Sequence, residues 1–278
     1  MKPESAGKFS FASLPRYLFL FLWTVCCCYP FLWVIITSFK NNEQIFGDPF
    51  GLPKSWLFQN YSEAWSGASI GQDFLNSCII CFAAIAILSL IASMAAYTLT
   101  RVVKSVWLNA FFTLGLMIPI HAVLIPSVIL FKNIGLINSL LSMIIIYVSS
   151  NLSISIFILT GFYEVIPKEM EESATMDGCG RVRLFFSIML PISKPGIATA
   201  ATLSFLNSWN DLLYGLVLIS SPQLKTITMG IAALKGSYET QYGMICAGFV
   251  IAILPVVLMY TLFQKQIIKG MTAGAVKG

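Results

Sequence analysis

Residues Glu171–Pro191 read EESATMDGCGRVRLFFSIMLP, a charged, glycine-punctuated stretch in a chain that is otherwise mostly apolar. Pro167 stands where a first helical turn tolerates a missing amide donor. KEMEESATMD then forms helix readily, and its acids cluster near the start, where the helix dipole favours them. Gly178 is a natural left-handed stop and Gly180 adds backbone freedom. The helix resumes over RVRLFFSIMLP, with Val182, Phe185, Phe186 and Met189 spaced to make one apolar face. Ser173, Ala174 and Gly178 are small and sit between Glu172 and Asp177, so another protein's surface can approach them closely. The sequence therefore predicts a helix, a glycine bend and a second helix, presented as a docking knob.

What surrounds this hairpin is built for oil. Of 278 residues, 57% are hydrophobic and 10% are charged, with a mean hydropathy of +0.82. A water-soluble domain of this size carries about 25% charged residues, so the outer surface has to face lipid. No charge occurs in Tyr17–Phe39, Phe74–Thr100, Ser105–Phe131, Asn133–Tyr163 or Thr240–Gln264, and Ile197–Ser220 holds only Asp211. Each run approaches or exceeds the ~20 residues that cross the hydrocarbon as a helix, and backbone groups in lipid must be satisfied within the segment. The expected fold is all-α with six transmembrane helices. The first run is too long and lacks the small-residue pattern of a cleaved signal peptide.

With the amino terminus inside, twelve of the 17 basic residues fall in inner segments and five in outer ones. The positive-inside rule then places both termini in the cytoplasm. Topology accounts for the net charge of +5, and no nucleic-acid partner is needed. The parts follow: cytoplasmic residues 1–16, a first span over 17–39, an extracytoplasmic loop over 40–73, a core over 74–264 that contains the cytoplasmic loop 164–196, and a cytoplasmic tail over 265–278. The Pro, Gly and Trp residues of 40–73 suggest a structured cap at the membrane face. Six of the seven cysteines fall in expected spans, so no disulfide is expected. Cys78 and Cys81 have the spacing of a redox or metal pair, but without a second pair or a nearby histidine they read as helix packing.

Asp211 is the one acid well inside an expected span, which costs about 2.5–3.5 kcal/mol on insertion scales and turns it toward the bundle interior. Asn207 lies four residues before it and Asn210 beside it, so Asn207, Asp211 and Gly215 share one helical face. This stripe either lines the translocation path or gate, or fixes helix packing between subunits. Pro119 and Pro126 lie seven apart in LMIPIHAVLIPSVILF, on nearly one face of a bent helix that either packs or lines a pathway. His121, the lone histidine, follows Pro119 and has no catalytic or metal partner nearby. Nucleophile motifs, metal clusters and cofactor fingerprints are all missing, so the chain does not read as an enzyme and carries no cofactor of its own.

EESATMDGCGRVRLFFSIMLPISKPG resembles the coupling loop of ABC importer permeases, roughly E-A-A-x-x-D-G-A followed by I-x-L-P. Glu172, Ser173, Ala174, Asp177, Gly178, Ile188, Leu190 and Pro191 fill the matching places; Ser173 and Cys179 stand where alanine is usual. SFLNSWNDLLYGLVL (Ser204–Leu218) and the terminal GMTAGAVKG (Gly270–Gly278) resemble the carbohydrate-uptake, maltose-type branch. The resemblance implies a type I importer permease in a bacterial inner membrane, with the loop seated in a cleft of an ATP-hydrolysing subunit. It also implies a tail, with Gly270, Gly274 and Lys277, that contacts that ATPase. The chain has no G-x-x-x-x-G-K-[ST] phosphate loop, so the ATPase is a separate subunit. A second, homologous permease and an extracytoplasmic sugar-binding protein complete the implied system, which works by alternating access. Two other readings stay open: an importer of the same kind for a non-sugar solute, and an ion-coupled secondary transporter with Asp211 as the ion or proton site.

Overall fold

The computed structural model describes residues 14–103, 105–234 and 240–275, and every regular element among them is a helix. The chain divides into two compact units. One takes in the chain up to Gly67 together with Leu234–Ile251; the other takes in Ala68–Ala233 and the chain from Ala252 onward.

In the first unit, α1 (Leu14–Thr37) is apolar all round and buries only Thr37. A helix with no polar face, exposed over most of its length, suits hydrocarbon as its solvent. The loop after it is structured. Helix α2 (Asn42–Gly47) is capped by Asn41, whose side chain accepts from the Gln44 amide at 3.0 Å. Asn60 donates to the carbonyls of Ser38 (2.8 Å) and Lys40 (3.0 Å). Asn42 ties the loop to the far end of the chain, donating to the Thr240 carbonyl and accepting from the Tyr242 amide. The Pro-, Gly- and Trp-rich stretch thus closes on its own backbone groups through side-chain amides.

The second unit begins with α3 (Ile70–Tyr97), which runs on through a wider turn, Thr98–Val102. It continues with α4 (Val106–Leu114), α5 (Leu124–Asn133) and α6 (Leu140–Glu164), then the short α7 (Glu169–Met176). After these come α8 (Arg181–Ile192), α9 (Lys194–Trp209), α10 (Leu213–Leu218) and α11 (Ile227–Ala233), while the chain of α12 (Tyr242–Ala275) belongs to the first unit up to Ile251 and to the second from Ala252. The second unit's main packing joins α3, α6 and α9. Ala84, Ala92, Ser93 and Ala96 are all buried on α3. Helices in lipid gain no hydrophobic drive from meeting one another, so such small residues, which admit close backbones, hold them together.

Among the described residues, four helices are long and apolar enough to cross a bilayer: Leu14–Thr37, Ile70–Val102, Leu140–Glu164 and Tyr242–Gln266. A fifth crossing is available if α8 and α9, bent by 72° at Ser193, act as one span. The two remaining apolar runs are broken rather than continuous. In 105–131, α4 stops at Leu114 and the chain is extended at Pro119 (φ −61°, ψ 127°) before a 3₁₀ turn at Ile120–Val123 opens α5. Proline lacks the amide for the helical ladder and pushes its predecessor out of helical geometry. Pro126 lies in the first turn of α5, where no donor is lost. The two prolines therefore do not share a face of one bent helix; they mark the two sides of a break. In 197–220, α9 ends at Trp209 and α10 starts only at Leu213. Asn207, Asp211 and Gly215 accordingly do not line one face of a continuous helix.

Candidate functional site

The hairpin begins with α7, whose first turn carries Glu169, Glu171 and Glu172. Its stop is a complete Schellman motif: Gly178 N–H donates to the Thr175 carbonyl at 3.0 Å and Cys179 N–H to the Ala174 carbonyl at 2.9 Å. Gly178 sits at φ +79°, in the left-handed region the motif requires. Four of the expected coupling residues, Glu172, Ser173, Asp177 and Gly178, are exposed along this turn, with Met176 87% exposed beside them. The Ser173 and Thr175 hydroxyls bond back to the carbonyls of Glu169 and Glu171, so the exposed face is less polar than its composition.

Two expectations are corrected at this point. Ala174 is small for an internal reason: it is buried in the apolar cluster that includes Leu184 and Phe185. The apolar face of the second helix is also split. Phe185 and Met189 are buried, whereas Val182 (73%) and Phe186 (48%) are exposed. Phe185–Met189 is a π-turn, whose extra residue rotates the following side chains out of 3.6-residue register. Ile188 and Leu190 are half-buried against the core, and Pro191 is exposed just before the bend.

Arg101, which sequence reasoning passed over, holds the hairpin from below. At the end of the Thr98–Val102 turn its side chain is 6% exposed, and its Nε lies 2.9 Å from Glu171 Oε1. Its Nη2 donates to the carbonyls of Tyr163 and Ile166, at the end of α6, where helical carbonyls lack intrahelical donors. A lone arginine ending a charge-free run was the available signal; its partner, 70 positions away, was not readable. Behind it Tyr97 packs edge-on to Tyr163 (centroids 6.0 Å apart) and against Phe185 (5.4 Å).

Two of the polar residues expected in the path, Asn207 and Asp211, join a ladder that runs from α6 to α9 and the start of α10. Asn207 donates to Asn151 at 3.0 Å, and Asn151 donates to the Tyr147 carbonyl at 2.9 Å and reaches Ser208 at 3.5 Å. Ser155 meets Ser204 at 3.4 Å, and Tyr147 donates to Asp211 at 3.0 Å. Asp211 also accepts from the Tyr214 and Gly215 amides at 3.4 and 3.3 Å, which starts α10 after the break. Tyr147, Asn151 and Ser155 recur every four residues, a polar stripe on α6 visible in the sequence but not used. Asn210 is exposed and bonds its own helix through the Leu206 carbonyl. Pro119 and His121 are exposed in the α4–α5 break and do not join the ladder. In the tail, Gly270 and Gly274 fall within α12, and Lys277 lies outside the described residues.

Among the described residues, no group of three or more His, Cys, Asp or Glu side chains stands close enough to hold a metal ion. A multi-pass helical membrane protein with an exposed helix–glycine–helix hairpin is the class these features define. The chain belongs to the family described as binding-protein-dependent transport system inner membrane component, whose model matches residues 87–271. It is 35% identical over 95% of its length to the diacetylchitobiose uptake system permease protein NgcG of Streptomyces coelicolor, covering 88% of that protein. It is 32% identical over 92% of its length to the trehalose/maltose transport system permease protein MalG of Thermococcus litoralis, covering 94% of it. Its fold matches a chain of a bacterial ABC transporter involved in import of the acidic polysaccharide alginate, with a TM-score of 0.80 at 20% identity, over 94% of this chain and 99% of that one.

Proposed function

We propose that this chain is one permease subunit of an ATP-driven importer for a sugar or oligosaccharide. It lies in a bacterial inner membrane as six spans with both termini in the cytoplasm, two of the spans being the broken runs. It forms half of the translocation pathway beside a second, homologous permease. A separate ATPase supplies the energy, and an extracytoplasmic binding protein delivers the solute. The substrates for which these relatives are named, diacetylchitobiose and trehalose/maltose, support the solute class. The observation that carries the coupling role is the exposed Glu172–Gly178 turn, locked by a Schellman stop and rimmed by Met176 and Val182. Closure of the ATPase moves this turn, and the attached helices alternate the pathway between the two sides. The tail beyond Lys265 is the second ATPase contact.

A secondary transporter with Asp211 as its ion site is disfavoured by the ladder. Both Asp211 oxygens already receive donors from the chain, Tyr147 and the amides that start α10. Reconstitution tests the reading. Proteoliposomes holding both permeases, the ATPase and the binding protein are expected to take up labelled oligosaccharide only with ATP. Uptake by this chain alone on a proton or sodium gradient overturns it, and ATP-driven uptake confined to amino acids, phosphate or polyamines overturns the solute class.

A further inference from the structure

Helix α7 has few apolar anchors of its own. Of its eight residues only Ala174 is buried and Glu171 half-buried; the rest are exposed. A short helix resting on one alanine has a pivot and no lever arm, because a single small contact resists neither tilt nor slide. Something else has to fix its angle.

Arg101 does so with one planar group. The guanidinium offers five donors in a rigid fork, and here it faces three acceptors on two other elements: Glu171 in α7, and the carbonyls of Tyr163 and Ile166 beyond and within the end of α6. Arg101 itself is on the continuation of α3. Arg101 Nε and Glu171 Oε1 pair by charge without hydrogen-bond geometry, and neither has a hydrogen-bond partner elsewhere, so the ion pair is the one match available to both. A pair this buried adds little net stability against its desolvation, but separating it leaves an uncompensated charge. It therefore resists being pulled apart while specifying one geometry.

We propose that Arg101 is the positioning residue that makes α7 move as one body with α3 and α6, so that breaking the Arg101–Glu171 pair lets the docked hairpin move without them. The proposal rests on the reading of the hairpin as the ATPase-docking element and adds the route by which load leaves it. Tyr97, Tyr163 and Phe185 lie behind the tether and carry the same displacement into the α3–α6 packing.

The test uses the assembled importer with its seven native cysteines replaced. Nitroxides are placed at Met170→Cys on α7 and Ile91→Cys on α3, both exposed. Pulsed EPR then reads the distance without nucleotide and after trapping with ATP and vanadate. In the parent the distance is expected to stay the same in the two states. In Glu171→Ala, which removes the acceptor and keeps the Tyr163 and Ile166 contacts, it is expected to shift or broaden by several ångströms on trapping, while the ATPase co-purifies at parental yield. Arg101→Lys, whose single ammonium cannot serve all three acceptors, is expected to behave likewise. A parental distance that changes on trapping, or a Glu171→Ala distance that does not, overturns the proposal. Failure of the parent to hold its ATPase overturns the docking reading instead, so the two failures are told apart.

Discussion

The hairpin and the α6–α9 ladder place polar groups in opposite ways. In the hairpin the carboxylates of Glu169, Glu172 and Asp177 face out, and apolar side chains (Ala174, Phe185, Met189) hold it to the body. In the ladder Asn151, Ser155, Ser204 and Ser208 are buried and bonded across two helices, and apolar side chains such as Ile145 and Phe157 face out. Water allows the first arrangement. In hydrocarbon a polar group has no solvent partner, so it becomes a helix-to-helix contact.

Substitutions that sharpen this contrast span a wide range of effect on stability, read by unfolding of the purified protein in detergent. Phe185→Ala, which empties a buried site between Tyr97 and the hairpin, is expected to cost about 3–5 kcal/mol. Asp211→Ala leaves the Tyr147 hydroxyl and two amides without their acceptor, at about 1–3 kcal/mol; Asp211→Asn, which keeps an acceptor, is expected to recover much of this. Gly178→Val forces a β-branched residue to φ +79°, at about 1–2 kcal/mol. Its larger effect is on function, and co-purification of the ATPase is expected to fall with it. A double-mutant cycle on Asn151 and Asn207 is expected to give a coupling of only about 0.6 kcal/mol. Val182→Ala, on the side of the π-turn that faces out, is expected to lie within about 0.5 kcal/mol of the parent. A cost for Val182→Ala equal to that for Phe185→Ala breaks the assignment of the split face.

The same contrast explains what the sequence disclosed. The hairpin was legible because its rules are local: acids at a helix start, a glycine at its stop, prolines at the return. Four spans were legible because length and apolarity suffice. The α4–α5 break and the α9–α10 break were not, although Pro119 and Asp211 sit on them. A charge-free run looks continuous until long-range partners, such as the Tyr214 hydroxyl on the Ile120 carbonyl (3.0 Å), show where the chain turns aside. The π-turn at Phe185–Met189 defeated the periodicity argument by adding one residue to a turn. Arg101 and Glu171 were each visible, but their pairing depends on where α3 ends relative to α6, which only packing determines.

The central claim is that the Glu172–Gly178 turn is seated on an ATPase during turnover. Cross-linking tests it most directly, with a photoreactive residue replacing Met176, 87% exposed at the tip of α7, in membranes from cells making the whole transporter. Illumination is expected to join this chain to the ATPase subunit with and without nucleotide, and a control at Leu18 on α1 to leave the ATPase unlinked. A Met176 probe that never captures the ATPase, in membranes that still import the sugar on ATP, contradicts the claim.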